Sequence, residues 1–270
     1  MAHQTFEVLP DRRFTVIRDF DDDPMDIHFK MHNHDDIYEI VLVISGDCEF
    51  YVEGNSYGTE PLDICFTRPS ELHLMTFRSH AAYERIIIYL HSDFFERGGR
   101  EKYLDIFVNR RLGTGNLISH DISGSAASGC AKRVYEYFEE GALDVAENSI
   151  CELLYIMNRS RSLSDGRYAK SGRVRDIIMY INSRLTEKIS LDELSHHFFT
   201  DKHYLCRIFK KYTGYTINQY INYKRIMLVQ EMHRNGQTLL QASMNAGFNS
   251  YAHFYKTYVK QTGQKPRYME

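Results

Sequence analysis

Two hydrophobic rhythms divide the chain. As far as residue 118, β-branched, aliphatic and aromatic residues come in short runs at 37–44, 48–52, 63–66, 72–77 and 83–90. Turn-forming triplets such as Ser45-Gly46-Asp47 and Glu53-Gly54-Asn55 interrupt them. Such runs bounded by Gly, Asn and Asp predict strands, and several at close spacing predict a barrel or jelly roll. Four of the five prolines fall in this half, where loops between strands accommodate them. Near Ser119 the rhythm lengthens to that of a helix. Segments 125–140 and 143–159 predict two helices broken at Gly141, and the polar, Gly- and Ser-containing stretch 160–172 predicts a linker. From residue 173 onward the pattern is helical throughout, with only Pro266 near its end.

Within that helical region one pattern occurs twice, 49 residues apart, starting at Asp201 and at Ser250. Each copy opens on a good N-cap residue and carries apolar side chains four and eight positions later, Leu205 and Phe209 in one, Phe254 and Tyr258 in the other. Each closes on Thr-Gly, at Thr213-Gly214 and Thr262-Gly263. A shorter helix precedes each copy. In the first, Ser190 is placed to cap it, with Glu193 three residues later as the partner of a capping box, and Phe198-Phe199-Thr200 forms the turn. In the second, 239–246 is the short helix and Gly247-Phe248-Asn249 the turn. Between the copies, 217–234 places Tyr220, Ile221, Ile226 and Val229 at helical spacing. As a helix it is about 27 Å long, the scale of spacer that two helices need to reach successive major grooves about 34 Å apart. Two basic helices, each behind a shorter one, predict a double helix-turn-helix reader of DNA.

Charge sharpens this picture. The net charge of −3 conceals a C-terminal region, from residue 173, with 15 Lys and Arg against 7 Asp and Glu, and a remainder with 18 against 29. A positive region attached to an acidic one predicts a polyanionic partner for the former. On the first repeated helix the face opposite Leu205 and Phe209 carries His203, Tyr204, Cys206, Arg207 and Lys210; there an Arg can grip guanine and a Lys can meet phosphate. The second helix offers Tyr251, Ala252, Tyr255 and Lys256, better suited to phosphate and methyl contacts. The five cysteines, at 48, 65, 130, 151 and 206, show no metal-finger spacing and fit reduced thiols in the cytoplasm. No apolar run is long enough to span a membrane, and no secretory signal is visible.

The region 173–269 resembles the AraC/XylS family of bacterial transcription regulators. The matching residues are Ile189-Ser190-Leu191-Asp192-Glu193-Leu194, the run from Tyr204 to Gly214, Tyr220-Ile221-Asn222-Tyr223-Lys224-Arg225, Gly247-Phe248, His253-Phe254, and Gly263 through Pro266 to Tyr268. The resemblance implies that His203, Cys206, Arg207 and Lys210 of the first helix meet operator DNA, and that Tyr251, Ala252, Tyr255 and Lys256 do so from the second. The chain departs from the family pattern at Phe199, where Gly is usual, at Ser195 and Ser243 in place of Ala, and at Ala242, Tyr258-Val259 and Met269.

The N-terminal half carries His32-Asn33-His34, then Glu39, then Gly46, the spacing of a first cupin motif, with His73 after Pro69 where a second motif places its histidine. In metal-binding cupins three histidines and one carboxylate hold Mn, Fe, Ni or Zn. Here the second motif lacks its glycine, and sensor domains of AraC-type regulators keep the pattern without a known metal. The reading therefore assigns no metal, no cofactor and no catalytic residue, and gives His32, His34, Tyr38, Glu39, His73 and Tyr89 to the wall of an effector pocket. A sugar or related metabolite is the effector that the family implies.

The expected chain is an α+β protein of two domains. A cupin-like, effector-binding β-barrel at 1–118 is followed by two helices, 119–159, that resemble the family's dimerisation segment. The linker, 160–172, leads to an all-α domain, 173–270, with two helix-turn-helix units joined by a long helix. Promoter DNA, a small molecule, a second copy of the chain and RNA polymerase are the implied partners, with no membrane. The alternative is a cupin metalloenzyme, an isomerase or dioxygenase, with an appended DNA-binding domain.

Overall fold

The computed structural model describes residues 13–26, 31–34, 36–161, 172–213, 215–262 and 265–266. Gly214, Gly263, Tyr268 and Met269, named above, lie outside the described residues. The chain contacts divide into two compact units, Met1–Lys170 and Ser171–Glu270. The first contains two antiparallel sheets. One has five strands in the order β1 (Phe14–Asp21), β7 (Tyr83–His91), β2 (Ile37–Ser45), β5 (Ile64–Thr67) and β8 (Leu117–Ile118). The other has three, β4 (Asn55–Gly58), β3 (Cys48–Val52) and β6 (His73–Phe77). The five predicted runs all become strands. The runs did not predict β1, β4 or β8. In β1 the second half is charged and solvent-facing, β4 is polar and ends in glycine, and β8 is two residues long. None of the three shows the apolar run that marks an interior strand.

Strand alternation sorts the sheet's side chains into two cores. On one face Phe14, Val16, Ile40, Leu42, Ile64, Phe66, Ile86 and Ile88 pack against the helices that follow the sheets. On the other, Val41, Val43, Cys65 and Ile87 meet Cys48, Phe50, Val52 and Met75 of the smaller sheet. Gly46 turns the chain from β2 into β3 with φ +120°, and a Cβ there would lie 2.8 Å from the Tyr83 ring. The turn therefore requires glycine.

After α1 (Asp105–Val108) come α2 (His120–Glu139) and α3 (Leu143–Arg161). Helix α2 starts a turn earlier than its periodicity implies: Ser119 Oγ caps Asp121 N at 3.2 Å, and the helix kinks at Gly124 before continuing. Because α3 runs to Arg161, the 160–172 linker gives its first two residues to the helix. Residues 162–171 lie outside the described residues. The apolar stripes expected to support dimerisation are occupied within the chain. Val134, Ile150, Leu153 and Leu154 are fully buried against the large sheet, and Tyr137, Phe138 and Ile156 pack around them. The exposed apolar side chains of α3 are Leu143, Val145 and Tyr155.

The second unit is helical: α4 (Arg173–Ser183), α5 (Leu191–His197), α6 (Lys202–Thr213), α7 (Ile217–Arg234), α8 (Leu239–Asn245) and α9 (Tyr251–Thr262). Helix α7 has the predicted bounds, and Tyr220, Ile221, Ile226 and Val229 are all buried. Its start is a reciprocal capping box, Thr216 with Gln219, and α8 repeats the device with Thr238 and Gln241. At α5 the expected box is only half made. Ser190 accepts from Glu193 N at 3.1 Å, while the Glu193 carboxylate turns away to Tyr180 Oη at 2.8 Å and to Arg184. A charged partner outcompetes the backbone N–H of the cap.

Both short helices end in the same motif. Thr200 N donates to Ser195 O and Phe199 N to His196 O after α5, as Phe248 N to Ser243 O and Gly247 N to Met244 O do after α8. The left-handed residue this ending requires is Gly247, φ +92°, in one case and Phe199, φ +47°, in the other. Phe199 is also 96% exposed, so no packing offsets its strain. Phe199→Gly is expected to stabilise the unit by about 1 kcal/mol. Gly247→Ala should destabilise it by about 1–3 kcal/mol, since its Cβ would meet the Thr186 carbonyl oxygen at 2.7 Å. Urea denaturation of both variants against the parent protein measures each change.

Candidate functional site

In the sensor unit, register places the chemistry. Glu39 on β2 lies opposite Tyr89 on β7 and Thr67 on β5, and Tyr89 in turn lies opposite Thr15 on β1. A polar row thus crosses four strands on the face that looks toward the smaller sheet, one residue pair from the apolar row of Ile17, Ile87, Val41 and Cys65. His32 is joined to His73 by a backbone bridge, with His73 N to His32 O at 2.8 Å and His32 N to His73 O at 3.1 Å. That bridge carries His32 and His34 over the start of β6.

One donor atom each from His32, His34, Glu39 and His73 lies within 4.8 Å of all the others. The His34 and His73 Nε2 atoms are 3.2 and 2.8 Å from the same Glu39 oxygen. Burial alone would raise the Glu39 carboxyl. The charge and contacts of His73 and His34 outweigh it and hold the group well below the ordinary carboxylate range. For His73, burial works downward, and the adjacent Glu39 carboxylate overcomes it and raises the ring above its usual value. His73 Nδ1 faces the Glu71 carbonyl at 2.8 Å. Its Nε2 meets the Glu39 carboxylate as an ion pair at 2.8 Å, while Thr15 Oγ1 and Thr67 Oγ1 in the polar row are buried without a hydrogen-bond partner. Three imidazoles and a carboxylate are the donor types of a borderline divalent metal, and here His34 and His73 are both paired with Glu39.

Of the six residues assigned to the pocket, five converge here. Tyr38 does not. Adjacent to Glu39 on a strand, it points to the opposite face, where its ring packs 4.9 and 4.8 Å from those of Phe95 and Phe107. Behind the cluster is a buried tier that motif spacing did not reveal. Arg110 grips both oxygens of Glu71 at 2.7 and 2.6 Å, and Asn116 Nδ2 and Gly113 N donate to the same carboxylate. Since Glu71 O holds the His73 ring, this tier positions the ligand-side histidine.

In the second unit the exposed face of α6 presents His203, Arg207 and Lys210, with Cys206 half-buried beneath them and Leu205 and Phe209 in the core. Asp201 caps the helix, accepting from His203 N at 2.9 Å and Tyr204 N at 3.0 Å. The Arg207 guanidinium lies over the Tyr204 ring, 5.5 Å from its centroid. On α9, Ala252, Tyr255 and Lys256 are exposed and Tyr251 is half-buried against Phe254. A helix-turn-helix family model matches 194–269, and an AraC-like ligand binding domain matches 17–109, so the two units correspond to two known modules. The chain belongs to the AraC/XylS family of transcriptional regulators.

Among AraC/XylS relatives, the HTH-type transcriptional activator RhaS of Escherichia coli O139:H28 is 20% identical over 244 residues, covering 88% of this chain and 86% of its own length. Among solved structures, ToxT from Vibrio cholerae O395 is 14% identical, with 94% of this chain and 95% of that chain covered at a TM-score of 0.40. An AraC-type regulator from Chromobacterium violaceum is 23% identical, covering 35% of this chain and 85% of its own at a TM-score of 0.32.

Two departures from the AraC/XylS pattern have a local account. Ser195, where Ala is usual, donates through Oγ to Thr200 O at 2.7 Å and ties down the turn that Phe199 strains. Ser243 donates to Leu240 O at 2.8 Å within α8.

The Glu71–Arg110 pair is nearly solvent-free, with side chains 0% and 4% exposed. Arg110→Ala removes the bidentate partner of a buried carboxylate, leaving Arg68 Nε at 3.9 Å as its remaining cation, and is expected to cost about 3–5 kcal/mol, whereas Glu71→Gln with Arg110→Met should recover much of the loss. Chemical denaturation of the three proteins tests this; equal stability of Arg110→Ala and the parent would contradict it.

Proposed function

We propose that this regulator binds operator DNA in a sequence-dependent way chiefly through α6, and that a small polar molecule bound at the Glu39 cluster controls that binding. The observation that carries the DNA half is Arg207 lying over Tyr204 on the exposed face of a capped, basic helix. Stacking limits the rotamers of the guanidinium and leaves its N–H edge open for a guanine. Lys210, one turn along, serves a phosphate. His203 and Cys206 flank the reading edge, and Tyr251, Ala252, Tyr255 and Lys256 on α9 supply the weaker second contact. The effector half is supported by the polar row of Thr15, Tyr89, Glu39 and Thr67 with its unpartnered hydroxyls, which a ligand's polar groups would satisfy. We take the protein to act as a cytoplasmic homodimer, through the outward side of α3 at Leu143, Val145 and Tyr155, and to bind rather than to catalyse.

Binding to DNA from the protein's own upstream region, at fixed salt, tests this reading with and without a panel of sugars and related metabolites. Specific binding that one compound shifts is the expected result, and the absence of any specific binding would refute it. Arg207→Ala should weaken the specific complex by about 1–3 kcal/mol and relax preference at one base pair. Lys210→Ala should weaken specific and non-specific complexes alike and lower the salt dependence by about one phosphate. If Arg207→Ala leaves the specific affinity intact, α6 is not read through this side chain.

A further inference from the structure

We propose that Phe199 is a base-reading residue, whose ring stands out from the turn before α6 to meet a thymine methyl group in the major groove of the operator. The inference rests on α6 being the reading helix and adds a contact from outside that helix. Phe199 is 96% exposed and held at φ +47°. The turn after α8 makes the same backbone hydrogen bonds with Gly247 at this position, so the motif asks for no side chain here. Packing asks for none either: Phe198 already meets the Tyr180 ring at 5.8 Å, as Phe248 fills the core after α8. A strained, water-exposed ring that the fold does not use is accounted for by a contact made in a complex. The turn is also braced to hold it. Ser195 Oγ donates to Thr200 O at 2.7 Å, and Thr200 Oγ1 donates to Phe198 O at 2.8 Å while accepting from Arg173 Nη1 at 3.2 Å. After α8, Ser243 Oγ turns back to its own helix instead.

The occupant follows from the position. The N-terminal residues of a reading helix are those that meet base edges, and Phe199 stands two residues ahead of Asp201, the cap of α6. Arg173, bonded to Thr200, and Lys202, in the first turn of α6, place two exposed cations next to this turn, where the phosphates that line a groove would meet them. Of the acidic neighbours, Asp192 is paired with Lys202 at 3.1 Å and Asp201 is engaged by the helix N–H groups. The exposed side chains of α5 are Asp192, His196 and His197, all polar. The ring therefore stands alone, not in the contiguous apolar patch that a protein partner needs. The C5-methyl group of thymine is the apolar feature of the major groove, and a phenylalanine ring is one of the side chains that pack against it.

The test titrates the full-length protein and its Phe199→Gly, Phe199→Ala and Phe199→Leu variants against three kinds of DNA. These are the upstream-region duplex, a scrambled duplex of the same length, and copies of the first with deoxyuridine in place of one thymidine at a time, which removes only the methyl group. Circular dichroism establishes that each variant is folded. Phe199→Gly, which relieves the backbone, and Phe199→Ala, which keeps its strain, should both weaken the specific complex by about tenfold. Both should bind the scrambled duplex as the parent does, and Phe199→Leu should keep most of the specific affinity. Deoxyuridine at one position should weaken the parent to a like degree and leave the Gly and Ala variants unaffected. A loss shared with the scrambled duplex, a loss in Phe199→Gly alone, or the lack of any such thymine would overturn the proposal. So would unchanged operator affinity, which would assign the ring to a protein partner. A loss in Arg207→Ala with none in the Phe199 variants would sink this proposal alone. A loss in the Phe199 variants with none in Arg207→Ala would sink the reading through Arg207 alone, and a parent without specific binding would sink both.

Discussion

Burying a carboxylate in the middle of a sheet is the constraint around which the sensor unit is arranged. Glu39 sits on β2, flanked on both sides by other strands, and is 5% exposed. A lone ion there would be far too costly to keep charged, so the surrounding chain has to bring compensating groups to it. The backbone bridge between His32 and His73 does this from two directions, delivering imidazoles from the segment before β2 and from the opposing sheet. The same strand's other face shows what happens one residue away: Tyr38, Ile40 and Leu42 join an ordinary apolar core under α2 and α3. The pocket and the packing surface are the two sides of a single pleated strand.

In the helical unit the corresponding fixed point is α7. Arg225, only 8% exposed, turns inward and donates from Nε to Leu185 O at 2.9 Å and from Nη2 to Glu187 O at 2.6 Å, satisfying carbonyls just past the end of α4. Tyr220 adds a hydrogen bond to Asn182 at 3.1 Å and an edge-to-face contact with Phe209. Beyond Arg225, Ile226 and Val229 join Leu239, Phe248 and Phe254 in the core of the second helix-turn-helix.

How much of this could be seen in the chain beforehand follows from the range of each interaction. Local signals were legible: the five apolar runs, the bounds of α7, the N-caps at Asp201 and Ser250, and the inward Leu205, Phe209 and Phe254 all depend on neighbours a few residues apart. The convergence of His32, His34, Glu39 and His73 was hinted at by motif spacing alone. What was not legible depends on register or competition. The polar row exists only once β1, β7, β2 and β5 are paired, and β1 lacked an interior strand's pattern. Tyr38 has the aromatic character of a pocket wall, but as the strand neighbour of Glu39 it faces the opposite side. The apolar stripes of α2 and α3 looked available for a partner until the sheet claimed them. Glu193 has the right offset for a capping box, but Arg184 is a stronger competitor that no local pattern announces.

The shared helix α7 has a consequence for how the two readers live and fail together. Its first half is floor to one helix-turn-helix and its second half floor to the other, so each unit borrows its foundation from a rod whose far end is buried in its neighbour. Local opening at either end strips apolar surface from a helix that the other needs intact, which couples the stability of one unit to that of the other.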